Sequence, residues 1–158
     1  MTDQKFESDE IDGIETAQVL SSFLNAGGTF SSAFSENACI EDEAMYSVAH
    51  SVYEQGRYKD AFKIFSLLVM RNHLEPRYLS GLGGSCQMLG RYVDALMHYM
   101  AAAVADTEDP KPIYHAAECL IALSRRDEAR DSLKLVLEMC PERTAPLNRH
   151  ALALLQRL

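Results

Sequence analysis

The strings GRYKDA at 56–61, GRYVDA at 90–95 and SRRDEA at 124–129 write one pattern three times. Their closing alanines, Ala61, Ala95 and Ala129, stand 34 positions apart. A period of that length leaves a chain little freedom, because each unit must be a small supersecondary element that buries its apolar face against its neighbours. Other positions keep step. A small residue recurs as Ala49, Gly83 and Ala117, a turn residue as Gly56, Gly90 and Ser124, and a large apolar one as Phe65, Tyr99 and Leu133. Pro76 and Pro110 fall between units and Pro141 lies in the third, which suits breaks between helices.

Thirty-four residues is the period of the tetratricopeptide (TPR) repeat, a helix–turn–helix unit. The expected fold is all-α: three tandem TPR hairpins forming a curved right-handed superhelix, with units over 42–75, 76–109 and 110–143. The helix pairs are expected at 42–55 with 58–72, 77–89 with 92–105, and 111–123 with 126–139. Met45, Leu79 and Ile113 stand where the repeat pattern has tryptophan, one core apolar residue for another.

The flanks divide into an acidic flexible arm over 1–13, an N-terminal helical region over 14–41 and a C-terminal capping helix over 144–158. Within the second, Val19, Leu20, Phe23 and Leu24 make one apolar stripe that stops at Ala26-Gly27-Gly28-Thr29. A helix of that kind either caps the first repeat or packs on a second copy of the molecule, so these four residues are the candidates for dimerisation. In the tail, Leu147, Ala151, Leu154, Leu155 and Leu158 share a helix face behind Pro146, and they are expected to cover the last repeat.

The bulk numbers exclude several classes. At 158 residues and 47% hydrophobic, one sizeable core is expected. No run approaches the ~20 apolar residues that cross a bilayer. The opening MTDQKFESDE is too acidic for a secretory or transit signal, which predicts a cytoplasmic protein. Residues 1–43 carry ten acidic side chains against Lys5, a net −9, whereas the remainder has thirteen acidic and fourteen basic, a net +1. With a total of −8 and no basic stripe, direct nucleic-acid binding is not expected. Cys39, Cys86, Cys119 and Cys140 lie far apart with no CxxC pair, as in a reduced protein with mostly buried thiols.

No cofactor, metal or catalytic site is expected. None of His50, His73, His98, His115 and His150 pairs with another at i+3 or i+4, and His115 with Cys119 supplies only two ligands. The GLGG at 81–84 lacks the preceding strand and the following lysine of a phosphate loop, so close helix packing accounts for it better.

A TPR superhelix presents its first helices along a concave groove. In TPR units the second, fifth, ninth, twelfth and thirteenth positions face it. The expected lining is Glu43, Tyr46, His50, Tyr53 and Glu54 from unit one, Arg77, Ser80, Gly84, Gln87 and Met88 from unit two, and Lys111, Tyr114, Glu118, Ile121 and Ala122 from unit three. Tyrosine combines large contact area with a hydroxyl, methionine adapts to irregular surfaces, and Ser80 and Gly84 leave hollows. This lining suits an extended, partly apolar peptide. Capture of a terminal carboxylate would need lysine and asparagine where Tyr46 and His50 stand. The alternative is that Tyr46 and Tyr53 pack against the N-terminal helix.

The AGGT at 26–29, YSVAHSVYEQGRYKDAFKIF at 46–65, SGLGGSCQMLGRY at 80–92 and YHAAECL at 114–120 resemble, in order and spacing, the class II (TPR-type) chaperones of type III secretion systems. The resemblance spans roughly residues 14–140. It implies a bacterial cytoplasmic protein, often homodimeric, that keeps hydrophobic translocator subunits soluble and apart before export. It further implies a Pro-x-Leu-x-x-Pro-like client segment in the groove, against Tyr46, Tyr53 and Tyr114, and in some members assistance to a transcriptional activator. His50 departs from the bulky apolar residue usual in relatives, which bears on the nearest pocket. The rival reading is a general TPR scaffold that joins folded proteins through its convex face or tail.

Overall fold

The computed structural model describes residues 38–140 and 145–158. Among them are seven helices and no strand: α1 (Ala38–Glu54), α2 (Tyr58–Arg71), α3 (Pro76–Met88), α4 (Tyr92–Ala105), α5 (Lys111–Ala122), α6 (Arg126–Met139) and α7 (Pro146–Leu155). Helices α1 to α6 are three tandem hairpins, each packed on the next, and α7 packs on α6. The arm over 1–13 and the stripe of Val19, Leu20, Phe23 and Leu24 lie outside the described residues.

Each hairpin turns by the same device. Gly56, Gly90 and Ser124 adopt left-handed φ values of 77°, 75° and 61° just past the first helix. In each turn that residue's N–H donates three residues back and the next residue's N–H donates five back, as in Gly56 N to Tyr53 O (2.9 Å) and Arg57 N to Val52 O (3.2 Å). This Schellman arrangement satisfies carbonyls that the helix end leaves open. The following arginine then opens the second helix and is held there by an acid three residues on. Arg57 pairs with Asp60, Arg91 with Asp94 and Arg125 with Glu128.

Helices approach closely where the repeat supplies small residues. Ala49, Ala61, Ala95, Ala117 and Ala129 are wholly buried, with Phe65, Tyr99 and Leu133 packed among them. Within α3, Gly81 faces the Phe65 ring and Gly83 the Tyr99 ring so closely that neither position has room for a β-carbon without movement. The GLGG stretch is therefore helix-packing surface. Pro76 and Pro146 occupy first-turn positions, where a missing N–H is harmless. Leu147, Leu154, Leu155 and Leu158 pack with buried Ala151 against Leu133 and Val136, so the tail closes the apolar end of the third hairpin. No helix among the described residues is long and apolar enough to cross a membrane.

Candidate peptide-binding groove

First helices α1, α3 and α5 border an open cavity of about 600 Å³. Of the expected lining, Tyr46, His50 and Tyr53 reach it from α1, Arg77, Ser80, Gly84, Gln87 and Met88 from α3, and Lys111 and Glu118 from α5. Glu43, Glu54, Tyr114, Ile121 and Ala122 do not. Tyr114 is 9% exposed, its ring packed with Ala117, Leu133 and Val136. Helix α5 meets the cavity along Lys111, Pro112, His115 and Glu118, of which Lys111, His115 and Glu118 stand 34 residues after the lining residues Arg77, Gly81 and Gly84 of α3.

Phe65 and Tyr99 also reach the cavity, from second helices, together with Pro76, Gly81, Asp106, Asp109, Pro112 and His115. The repeat pattern marks Phe65 and Tyr99 as core, which they are at 2% and 3% exposure, and their distal edges nonetheless form the groove floor.

One wall is aromatic. The Tyr46 ring stands edge-on to Phe65 at 6.0 Å and tilted to Tyr78 at 5.7 Å, and the Arg77 guanidinium lies 4.9 Å from its centroid. Arg77 is in turn fixed by Glu75 (2.9 Å) and Glu43 (3.1 Å), which raises its already high pKa, chiefly through the Glu75 hydrogen bond. Tyr46 is thereby locked at the rim of the groove, a large preoriented contact. The hollow expected at Gly84 is partly taken: a β-carbon there would meet the Tyr53 hydroxyl at 3.3 Å.

The opposite wall is polar and fully connected. The Tyr99 hydroxyl donates to Gln87 Oε1 (2.8 Å), Gln87 Nε2 donates to Glu118 Oε2 (3.2 Å), and His115 Nδ1 lies 2.9 Å from the same oxygen. Tyr114 also lies near Glu118 and favours its ionised form, so this expected lining residue contributes from behind. His115 stacks on Tyr99 at 5.3 Å and meets the edge of Tyr114. Burial alone would raise the Glu118 pKa. The bonds from His115, Gln87 and Tyr114 and the attraction of His115 outweigh it and leave the group lowered. Burial pushes Tyr114 up to about 12 and also raises Tyr53 and Tyr99, so all three stay protonated donors.

Cys119, four residues from His115, is buried against Cys86 and Ala95, and burial raises its thiol to about 11. Among the described residues, no three side chains come together as metal ligands. What the groove offers is a rigid aromatic rim, a polar wall with its donors already engaged, and an open passage between them. That combination has the form suited to an extended chain whose side chains alternate between apolar and wet surroundings.

Residues 43–71 match the tetratricopeptide repeat family model. The chain is 35% identical over 125 residues to the low calcium response locus protein H of Yersinia pestis, covering 79% of this chain and 74% of that one. The type III secretion chaperone SycD of Yersinia enterocolitica, in complex with a peptide of the translocator YopD, superposes with a TM-score of 0.69 at 34% identity, covering 73% of this chain and 89% of the other. SycD is also known in an alternative dimer. PcrH of Pseudomonas aeruginosa, in complex with the chaperone binding region of PopD, gives a TM-score of 0.70 at 33% identity over 78% and 92%. Repeat period, fold and sequence identity over most of both chains agree: this chain belongs to the TPR-type chaperones of type III secretion translocators.

Proposed function

We propose that the chain is a non-enzymatic chaperone of the bacterial cytoplasm that clamps an extended segment of a hydrophobic translocator subunit in its concave groove. The segment is of the Pro-x-Leu-x-x-Pro kind, and the carrier acts as a homodimer. The observation that carries this reading is the open cavity of about 600 Å³ between the three hairpins, with the locked Tyr46 ring on its rim. Support comes from SycD and PcrH, which bind translocator segments on the same fold. A membrane-inserting client exposes apolar stretches that associate in water, and holding one extended segment keeps such a client apart from others without folding it.

The test is co-expression with a translocator encoded beside it, together with titration of a synthetic peptide carrying Pro-x-Leu-x-x-Pro. The parent chain is expected to solubilise the client and bind the peptide. Ser80→Trp, which fills the groove from a half-buried position on α3, is expected to weaken peptide binding at least about tenfold, equivalent to ~1.4 kcal/mol. A client that stays insoluble with the parent chain, and a peptide that does not bind it, would overturn the proposal.

A further inference from the structure

The position that Glu118 fills holds Gly84 in the second unit and His50 in the first, so the repeat itself does not call for a carboxylate there. All three line the cavity. The Glu118 side chain is partly buried, at 32% exposure. Its two close polar contacts end on one oxygen: Gln87 Nε2 donates to Oε2 at 3.2 Å, and His115 Nδ1 lies 2.9 Å from the same atom. Neither engages Oε1. Among the described residues no lysine or arginine pairs with this carboxylate. Burial alone would raise its pKa, yet its hydrogen bonds leave it lowered, so the group is an anion at neutral pH.

The surrounding half of the groove is anionic too. Asp106 and Asp109, in the turn before α5, line the same cavity, and each uses Oδ1 to accept a backbone N–H, from Glu108 and Lys111, both at 3.0 Å. Neither is ion-paired among the described residues. Of the two cationic lysine and arginine side chains in the lining, Arg77 is already engaged by Glu75 and Glu43, and Lys111 stands two helical turns from Glu118, about 10 Å along the axis. The α1 end differs: Tyr46, His50, Tyr53 and Phe65 bring rings to the lining and no carboxylate. The groove therefore has an aromatic end and a negative end.

We propose that Glu118 is a specificity residue of this groove, selecting client segments that place a lysine or arginine against Oε1 while their apolar residues fill the aromatic end. The proposal rests on the chaperone reading and names the client chemistry it requires. A seated segment displaces water from Glu118, and a carboxylate that loses water without gaining a partner is costly. A neutral donor fills a lone pair and leaves the charge unmatched. A cation offsets that charge together with the field of Asp106 and Asp109. Because only one end of the groove is negative, the same contact fixes which way the segment runs.

The test uses the full chain and synthetic peptides with the Pro-x-Leu-x-x-Pro frame and alanine elsewhere. Lysine, norleucine or glutamate is placed in turn at each variable and flanking position. Norleucine shares the lysine stem, so the comparison separates charge from apolar contact. At one position or more, lysine is expected to bind the parent about tenfold tighter than norleucine, equivalent to ~1.4 kcal/mol, and glutamate to bind weaker than both. In Glu118→Gln the lysine preference is expected to fall to about twofold or less, because the charge it answers is gone. Carbodiimide coupling of the lysine peptide to the parent, mapped by mass spectrometry, is expected to join its amine to Glu118, a readout that does not depend on how the variant folds. A series in which no position prefers lysine overturns the proposal, as does a preference that survives Glu118→Gln or coupling that misses Glu118. In each of those cases binding of the alanine frame leaves the chaperone reading standing. Failure of every peptide, the alanine frame included, sinks that reading and this proposal with it.

Discussion

A β-carbon on Gly81 would stand 2.7 Å from Cδ1 of Phe65, so α3 lies against α2 only because residue 81 has no side chain. The Phe65 ring is 2% exposed and holds the Tyr46 ring edge-on, so it has little room to retreat. The same contact that closes the first two hairpins therefore sets the position of the groove's aromatic rim.

Gly81→Ala tests this. Alanine in a helix interior is favoured over glycine by about 1 kcal/mol, and overpacking costs about 1–3 kcal/mol. With the ring confined, the clash is expected to win, giving a net loss of up to about 2 kcal/mol in urea unfolding and weaker peptide binding. A more stable alanine variant would mean that the ring gives way.

The repeat made most of the fold legible. Ala61, Ala95 and Ala129 and the turn at Gly56, Gly90 and Ser124 are dictated by local packing and backbone geometry, which recur wherever the sequence recurs. The groove was legible on α3, where all five candidates reach the cavity, and on α1 for Tyr46, His50 and Tyr53, though not for Glu43 and Glu54. It was less so on α5, where Tyr114 is instead drawn into the apolar cluster of Ala117, Leu133 and Val136 and Ile121 does not reach the cavity. Gln87 and Glu118 were legible as lining, but the hydrogen-bonded chain that joins them to Tyr99 was not, since it links three helices and depends on side-chain reach.

Ser124 is the only non-glycine with positive φ among the described residues, in a turn whose two equivalents are Gly56 and Gly90. A side chain in the left-handed region costs about 1–2 kcal/mol, part of which glycine returns as unfolded-chain entropy. Ser124→Gly is expected to raise stability by up to about 1 kcal/mol, read as a higher urea midpoint with an unchanged slope. A lower midpoint would show that the serine side chain contributes something beyond the turn.

The thiols divide by burial. Cys86 and Cys119 are wholly buried and share one cluster, and burial raises both thiol pKa values, Cys119 to about 11. Cys39 is exposed on the first turn of α1. An aromatic disulfide reagent at pH 8 is expected to titrate Cys39 first, and to reach Cys86 and Cys119 only in denaturant. Rapid reaction of either in native buffer would contradict the packing of α3, α4 and α5.

Glu118 makes the polar wall pH-dependent in a direction that follows from its bonds. Burial acts to raise its pKa, but the donors His115, Gln87 and Tyr114 prevail and hold it below the ordinary 4.5. A carboxylate lowered on folding adds stability above its unfolded pKa, and that contribution drains away as pH falls through the folded value. Glu118→Gln keeps the shape and removes the charge. It is expected to cost about 1–2 kcal/mol at pH 7, where the charge-assisted bonds are intact, and progressively less below pH 4.5 as the parent carboxylate takes up its proton. Urea midpoints of both proteins at pH 7 and near pH 3.5 measure the gap. A gap that does not narrow at the lower pH would mean that Glu118 is no acceptor for these donors, and that Gln87 and Tyr99 are positioned by something other than its charge.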